Sequence, residues 1–223
     1  MENLSCIIVA GGIGKRMNST IPKQFLILND KPIIFRTIEC FAHFNQIVVV
    51  IHKDYIDYWK KLCKQYNFNI KATIVEGGQE RFMSVKNGLQ AIESQTGIVA
   101  VHDSVRPFVS RELINRGIEK AQIVNAAIPA ILPTSSLRII DKDGNSSHID
   151  RNKVRIIQTP QFFNIRLLKD AYKQEYNPIF TDDASVVEHY GETIFLFEGE
   201  EENIKITSIF DLEIAKTILN KNK

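Results

Sequence analysis

The first 130 residues alternate between two kinds of segment, and this alternation restricts the possible folds more than any other feature of the chain. Short runs rich in β-branched residues, typical of strands, recur at residues 6–10, 47–51, 72–75, 98–101 and 126–132. Segments with helical spacing of apolar residues lie between them, at residues 32–41, 55–66, 81–92 and 111–122. Strands that alternate with helices of about ten residues build parallel sheets. We therefore predict an α/β protein with a mostly parallel sheet covered by helices on both faces.

After Pro133 the pattern changes and predicts a β-hairpin. Residues 134–140 and 146–157 are two extended runs joined by strong turn residues at 141–145. Because both runs mix polar and apolar side chains, we expect this hairpin to project as an arm, over about residues 134–158, and to form a contact between subunits. Two helices (near 165–174 and after Asp182), a strand at 193–197 and a closing helix near 209–219 are expected beyond it.

Length and composition exclude several classes of protein. The 223 residues fit one domain spanning residues 1–223. The longest apolar run, residues 126–132, has seven residues, whereas a membrane-spanning helix needs about 20. A net charge of +2 gives no indication of a nucleic-acid partner. Three cysteines without a CxxC pair, and no signal-peptide pattern, indicate buried free thiols in the cytoplasm. No sequence pattern predicts protein ligands for a metal.

A glycine-rich segment follows the first predicted strand and is the strongest sign of a binding site. It runs from Ala10 through Gly11, Gly12 and Gly14 to Met17, and a second motif begins at Pro22. Three glycines let backbone N–H groups approach a phosphate. Between Gly11 and Lys23 there are three cations (Lys15, Arg16 and Lys23) and no acid. The segment matches neither a Walker A loop nor GxGxxG, so we predict a site for a triphosphate; the alternative is a solvated surface turn.

A second cluster stands at the end of the fourth predicted strand. His102, Asp103 and Arg106 lie within five residues there, before Pro107. The ends of parallel strands share one edge of the sheet, so this cluster is expected to face the same ligand as the glycine-rich segment. Asp103 and Arg106 could hold a phosphate, a ribose or a metal, or could form an ion pair that fixes the turn.

Four further residues, at three places in the chain, can be explained in two ways. Gly78 and Ser84 belong to a turn that could read a nucleobase or could be an ordinary helix start. Thr181 begins a run typical of a helix N-cap, which also suits phosphate. Lys205 stands alone in an apolar context and would, by itself, be interpreted as a surface lysine.

The order and spacing of these motifs resemble one known family over residues 4–220. The motifs are AGGIGKRM, PKQF, VHDSVRPF, Asp150-Arg151 ahead of QTPQ, TDDAS, and EGEEENIKIT followed by a closing helix. The resemblance is to the 2-C-methyl-D-erythritol 4-phosphate cytidylyltransferases of the non-mevalonate isoprenoid pathway. It implies a Rossmann-like fold and transfer of a cytidylyl group from CTP to a polyol phosphate, with release of pyrophosphate.

The resemblance also implies roles for residues. Arg16, Lys23 and Lys205 would be catalytic cations. The CTP would be held by a set of small residues: Ala10, Gly11, Gly12, Gly14, Gly78, Ser84 and Ser104. The acceptor would be held by Asp103, Arg106, Thr181 and Arg151, the last from a partner subunit in a homodimer formed through the arm. Mg²⁺ would accompany CTP as cofactor, without an assigned protein ligand.

Three departures from the family pattern leave alternatives open. They are Asn18 after Met17, Ser104-Val105 where alanines are frequent, and Gln79 where an acid is frequent. A cytidylyltransferase for ribitol 5-phosphate or another polyol phosphate is one alternative. A nucleotide-binding regulatory module without activity is the other.

Overall fold

The computed structural model describes residues 3–12 and 21–221, and its elements follow the predicted alternation. The strands are β1 (Leu4–Ala10), β2 (Ile27–Leu28), β3 (Lys31–Pro32), β4 (Gln46–Ile51), β5 (Thr73–Glu76), β6 (Ile98–Asp103), β7 (Ala126–Ile131), β8 (Leu137–Ile140), β9 (Ser146–Ile149), β10 (Ile156–Ile157), β11 (Gln161–Asn164) and β12 (Phe195–Glu198). The helices are α1 (Ile33–Cys40), α2 (Ile56–Gln65), α3 (Arg81–Gln90), α4 (Arg111–Val124), α5 (Ile165–Ala171), α6 (Asp183–His189) and α7 (Ile209–Lys221). All nine elements predicted before residue 133 are present, with ends within two residues of prediction.

The central sheet has the strand order β10-β7-β11-β6-β1-β4-β5, and β12 pairs with β7 as well. Pairs β1–β4, β1–β6, β4–β5 and β7–β12 are parallel. The pairs of β11 with β6 and β7, and of β10 with β7, are antiparallel. The prediction of a mostly parallel sheet is therefore confirmed.

The apolar strands fit this sheet because helices cover both of its faces. In β1, Cys6, Ile8 and Ala10 pack in one core cluster with apolar side chains of α1, α2 and α4. Ile7 packs in the other cluster, which contains side chains of α3, α5 and α6. Strands buried on both faces read as continuous apolar runs rather than as alternating ones. This explains why the sequence shows the strands so clearly.

The arm is a separate two-stranded sheet, as predicted, but it is shorter than expected. β8 and β9 form a sheet of their own, with Leu137 opposite Ile149. The prediction of one extended run over residues 146–157 is wrong in its second half. The Asp150 carboxylate accepts a hydrogen bond from Asn152 N and begins a turn of 3-10 helix at Arg151–Lys153. β10 then joins the central sheet rather than the arm.

Strand β11 is not predicted by the sequence pattern. Its four residues lie antiparallel between β6 and β7 and follow a cis peptide bond at Thr159–Pro160. Its end is set by Asn164, whose Oδ1 accepts hydrogen bonds from Arg166 N and Leu167 N and begins α5. A four-residue segment beside a proline has too short a pattern to distinguish a strand from a loop. The motif Gln158-Thr159-Pro160-Gln161 therefore passes directly from β10 into the centre of the sheet.

The cysteines are free, but only one is fully buried. Cys6 lies in the core, whereas Cys40 and Cys63 are partly exposed, so the prediction of three buried thiols is wrong for those two. Among residues 3–12 and 21–221, no helix is both long and apolar enough to cross a membrane.

Candidate active site

The carboxyl ends of β1 and β6 form the edge at which the candidate site lies. Val9 of β1 pairs with Asp103 of β6, so Ala10 and Asp103 end side by side. In the sheet, β1 lies between β4 and β6, so the order of the strands reverses at β1. In open α/β sheets a crevice for ligands opens where the strand order reverses. A cavity of about 350 Å³ occupies this crevice. Its lining includes Ala10, Gly11, Gly12, Lys23, Gln24, Gly78, Glu80, Arg81, Ser84, Asp103, Ser104 and Lys205.

Most of the residues expected to bind CTP meet at this cavity. Those that line it are Ala10, Gly11, Gly12, Gly78, Ser84 and Ser104, together with Lys23 and Lys205 of the expected catalytic cations. Gly14 and Arg16 lie outside the described residues. Of the residues expected to bind the acceptor, Asp103 lines the cavity, whereas Arg106, Thr181 and Arg151 do not line its described part.

Gln24 fixes the path of the backbone that leaves β1. The side chain is buried, and its Nε2 donates hydrogen bonds to Ala10 O (2.8 Å) and Gly12 O (3.0 Å). Pro22 precedes the turn of 3-10 helix at Lys23–Phe25, which carries Gln24 inward and leaves Lys23 at the cavity. With both carbonyl oxygens held by one amide, the backbone of residues 10–12 has a defined course beside the cavity.

Gly78 and Ser84 belong to a closely packed turn on the opposite wall. Gly78 N donates to Ser84 Oγ at 3.1 Å. A Cβ on Gly11 would lie 2.9 Å from the same oxygen, and a Cβ on Gly78 would lie 2.3 Å from Met83 Cβ. A side chain at Gly78 would collide with Met83, and one at Gly11 would have to displace the Ser84 hydroxyl. Residues 77–84, called the base turn below, therefore lie directly against Gly11.

Asp103 is a buried carboxylate surrounded by cations. Its Oδ2 lies 3.0 Å from Lys205 Nζ and 3.4 Å from Arg106 Nε. Burial alone would raise the pKa of Asp103, but the charges of Lys205, Arg81 and Arg106 outweigh it and hold the pKa well below its usual range. Asp103 is therefore ionised throughout the physiological range and fixes the head group of Lys205 at the cavity wall.

Arg106 forms the ion pair that was one of the two explanations of its motif. Its Nη1 donates to Asn203 O at 2.7 Å, and its side chain is almost fully buried. Burial lowers the pKa of Arg106, and the Asp103 carboxylate opposes this effect. In this arrangement Arg106 ties the turn after β6 to the segment that carries Lys205.

The buried side chain of His102 also fixes the turn that follows β6. Its Nε2 lies 3.0 Å from Arg106 O, and its Nδ1 lies 3.0 Å from Thr159 Oγ1. A carbonyl oxygen only accepts, which assigns the proton of the neutral ring to Nε2 and makes Nδ1 the acceptor from Thr159. Thr159 Oγ1 in turn accepts from Asp103 N at 3.1 Å. Burial lowers the pKa of His102 to about 4, so the ring is neutral at pH 7.

The segment of residues 199–205 is held at several points before it reaches Lys205. Gln158 donates to Glu200 O and accepts from Glu200 N. Asn203 is completely buried, and its Nδ2 donates to Thr159 O. The Glu200 carboxylate accepts from Ser110 Oγ at the start of α4. These contacts place in the site a lysine that the sequence alone would assign to the surface.

Thr181 lies beside an ion pair that reaches the cavity. Arg81, the first residue of α3, makes a bidentate contact with Asp183, the first residue of α6, at 2.9 and 2.6 Å. Thr181 N donates to Ser185 Oγ within the N-terminal cap of α6. Thr181 thus stands two residues before Asp183, in the cap of α6, and does not line the described cavity.

Arg151 belongs to a different surface of the chain. Its Nη1 donates to Thr134 O at 3.1 Å at the base of the arm. Both residues line a second cavity, of about 920 Å³, whose wall also includes Leu196 and Glu201. Within one chain, the structure therefore does not bring Arg151 to the cavity of Lys205.

No preformed metal cage is present in the part of the chain that the structure describes: no group of three His, Cys, Asp or Glu side chains is placed to hold an ion there. Asp103 and Glu80 are the acidic residues that line the described cavity. Mg²⁺ in nucleotide sites usually takes one or two carboxylates together with substrate phosphates. The ionised Asp103 fits that requirement.

Several residues that build the site received no role from the sequence. Gln24, His102, Thr159 and Asn203 occur within the motifs noted above, and Arg81 lies between Gly78 and Ser84, but their functions depend on partners distant along the chain. The interaction of Arg81 with Asp183, for example, spans 102 residues. Motif membership indicated their importance, whereas only the fold shows their contacts.

Comparison with known proteins identifies a family. The model for "IspD: 2-C-methyl-D-erythritol 4-phosphate cytidylyltransferase" matches residues 4–221. The 2-C-methyl-D-erythritol 4-phosphate cytidylyltransferase of Bacteroides fragilis is 47% identical over 218 residues, covering 96% of this chain and 99% of the relative. That of Phocaeicola vulgatus is 48% identical over 220 residues, covering 97% and 100%.

Solved structures agree with this comparison. The 4-diphosphocytidyl-2C-methyl-D-erythritol synthase of Anaerococcus prevotii superimposes with a TM-score of 0.84 at 29% identity, covering 98% of this chain and 99% of that one. The 2-C-methyl-D-erythritol 4-phosphate cytidylyltransferase of Thermus thermophilus gives 0.79 at 30% identity, covering 99% and 100%. The Rossmann-like fold inferred from the motifs is therefore confirmed.

The neutral His102 predicts a specific pH dependence of stability. Unfolded histidine has a pKa near 6.5 and folded His102 a pKa of about 4. Its contribution is complete above pH 6.5 and decreases as the pH falls towards 4, because the unfolded chain binds a proton that the folded chain does not. Between pH 7 and 5 the free energy of unfolding should lose about 2 kcal/mol from this group.

We expect urea unfolding of His102→Asn to show a difference in the free energy of unfolding between pH 7 and pH 5 that is smaller by about 2 kcal/mol than in the wild type. This expectation does not depend on the variant's stability at pH 7. His148→Asn, on the exposed arm, should keep the wild-type difference. An unchanged difference in His102→Asn would show that the ring is not neutral when folded.

Proposed function

The chain belongs to the 2-C-methyl-D-erythritol 4-phosphate cytidylyltransferase family, and from that membership we propose that the cavity at the carboxyl ends of β1 and β6 is its active site. The enzyme joins CTP and 2-C-methyl-D-erythritol 4-phosphate to give 4-diphosphocytidyl-2-C-methyl-D-erythritol and pyrophosphate, a step of the non-mevalonate route to isoprenoids. The observation that carries the assignment of the site is that Ala10, Gly11, Gly12 and Lys23 line one cavity together with Lys205, which is distant from them in sequence.

The composition of the cavity suits this reaction. A phosphate oxygen of the acceptor attacks the α-phosphorus of CTP, so the nucleophile is already an anion and needs no general base. The transition state gathers negative charge on the phosphoryl oxygens and on the departing pyrophosphate. Fixed positive charge and accurate positioning are then the main requirements. Lys23 and Lys205 supply the charge in our proposal, joined by Arg16 of the glycine-rich segment.

The remaining residues divide between the two substrates. We assign the nucleotide to the backbone beside Ala10, Gly11, Gly12 and Gly14 and to the base turn with Gly78 and Ser84. Ser104 would complete this side. Asp103 stays ionised beside Lys205 and is suited to hold acceptor hydroxyl groups or Mg²⁺. Arg106 would act near the acceptor through its contact with Asp103, and Thr181 through its place in the N-terminal cap of α6, where its N–H donates to Ser185.

Mg²⁺ is the cofactor that this site would use. Asp103 is the residue that would hold it, with the phosphates of CTP as its other ligands. The ion would neutralise phosphate charge when bound. The chain's own residues position the two substrates and keep Lys205 directed at the cavity.

We further propose that the active enzyme is a homodimer that exchanges arms. β8 and β9 pair only with each other among the described strands. Ile139 and Ile140 are 54% and 63% exposed. An isolated two-stranded hairpin is marginally stable in water, so a partner's body would cover this apolar surface. The arm would then carry Arg151 to the partner's cavity and its acceptor phosphate.

The three free thiols accord with a cytoplasmic enzyme.

The reaction is tested by offering two acceptors. With CTP and Mg²⁺, pyrophosphate release should be much faster with 2-C-methyl-D-erythritol 4-phosphate than with ribitol 5-phosphate, and should stop on addition of EDTA. Preference for ribitol 5-phosphate would assign the acceptor to the alternative class. Binding of CTP without turnover of either acceptor would indicate a regulatory module.

Lys205 should contribute mainly to the rate of the chemical step. We expect Lys205→Gln to lower kcat by about 10²–10³-fold, as loss of a transition-state donor does, with a smaller change in the KM for CTP. Lys216→Gln, which removes a surface ion pair with Glu213 on α7, is the matched control and should retain full activity. An increase in KM alone would make Lys205 a ground-state contact.

Mixed dimers test the exchange of arms. Arg151→Ala and Lys205→Gln subunits should each form dimers of low activity. If arms are exchanged, a mixed dimer has one site with both changes and one site with neither. Equal co-refolding should then restore about a quarter of wild-type activity, because half the dimers are mixed and each has one intact site. No recovery would show that each chain uses its own arm.

A further inference from the structure

The contact between Arg81 and Asp183 connects two turns that belong to opposite sides of the site. Arg81 lies within the base turn and lines the cavity. Asp183 begins α6 directly after Thr181 and Asp182 and does not line the described cavity. The guanidinium reaches Asp183 Oδ1 at 2.9 Å and Oδ2 at 2.6 Å. A bidentate pair of this kind fixes both distance and orientation.

The acceptor-side end of this contact is rigid. Asp183 is completely buried, and its Oδ1 also accepts a hydrogen bond from Tyr172 Oη at 2.6 Å. Asp182 and Ala184, on either side of it, bind the two ends of the Gln161 amide, at 2.7 and 2.9 Å. Residues 181–184, called the acceptor segment below, are thereby attached to β11 in the centre of the sheet. Movement of Arg81 relative to this segment would have to break the pair.

Packing joins the same two regions. The Phe82 ring stacks on Tyr172 with a centroid distance of 4.7 Å and on Phe180 with 5.5 Å. Phe82 follows Arg81 in α3, and Phe180 precedes Thr181. The base turn and the acceptor segment are therefore joined by one partly buried ion pair and one aromatic stack.

Helix stability does not explain an arginine at this position. A cation at the first residue of a helix is unfavourable with respect to the helix dipole, and α3 has no acid in its first turn, although Glu80 stands at its N-cap. A buried ion pair is also weak evidence for stability, since apolar replacements are often as stable. The pair is better explained by the geometry it imposes on the cavity.

We infer that Arg81 and Asp183 are positioning residues that couple recognition of the nucleobase to the placement of the acceptor segment. This inference rests on the proposed function and extends it. Binding of cytosine at the base turn would order Arg81, and Arg81 would order the acceptor segment. Incorrect bases would leave the base turn, and with it the acceptor segment, less well placed for the transfer.

Hydrogen–deuterium exchange of the wild-type enzyme tests the coupling directly. CTP alone, without acceptor, should slow exchange of backbone amides in the base turn and also in residues 181–185. The second region does not line the described cavity, so its protection requires transmission. Protection confined to the base turn would overturn the inference, even though the enzyme remained active.

Kinetic variants separate positioning from stability. Arg81→Lys keeps the charge but loses the bidentate contact, and Asp183→Asn removes the carboxylate. Both should reduce the preference for CTP over UTP in kcat/KM, and raise the KM for the acceptor, by about tenfold or more each. Tyr172→Phe keeps the ion pair and should change both quantities less. Asp57→Asn, at an exposed pair on α2, is the matched control and should change neither.

A lower melting temperature with unchanged base preference and acceptor KM in Arg81→Lys would make the pair purely structural. Should wild-type enzyme release no pyrophosphate with CTP and acceptor, the proposed function itself would fail. The two failures are therefore distinguishable.

Discussion

The site depends above all on one buried negative charge. The Asp103 carboxylate, placed at the end of β6 by its pairing with β1, holds Lys205 and Arg106 by direct contact. Arg106 in turn binds the backbone of Asn203 in the segment that leads to Lys205. Removing a buried carboxylate would leave two cations without compensation, which costs several kcal/mol in comparable cases. The Asp103 carboxylate therefore sets the positions of the cations beside the cavity.

The sequence predicted the frame of the fold well because its strands are buried on both faces. Doubly covered strands such as β1 and β6 leave long apolar runs, and the helices between them keep a clear period. The arm was also indicated by its turn residues. β11 escaped prediction because its four residues belong to a sheet only through partners from β6 and β7. Likewise, nothing local marks β10 as part of the central sheet rather than the arm.

The candidate site was predictable in its motifs but not in its contacts. Gly11, Gly12 and Gly78 were noted from the residue pattern and Lys205 was assigned by family resemblance, and all four line one cavity. What each neighbouring residue does follows from pairings across the fold, as when one Gln24 amide holds two carbonyl groups of the glycine-rich segment. Arg106 illustrates the limit: the sequence left open a ligand contact or an ion pair, and only the fold shows the guanidinium in contact with Asp103 and Asn203.

The motif of residues 158–161 limits where the chain can accept an insertion. Gln158, Thr159 and Gln161 bind three different loops around the cavity, and the motif begins immediately after β10 at the root of the arm. At the far end, by contrast, the Asp141 carboxylate closes the tip by accepting from Asp143 N and Asn145 N, without help from the body. A change of length at the tip would therefore leave these three contacts in place, whereas an insertion at the root would misalign every loop that those three side chains hold.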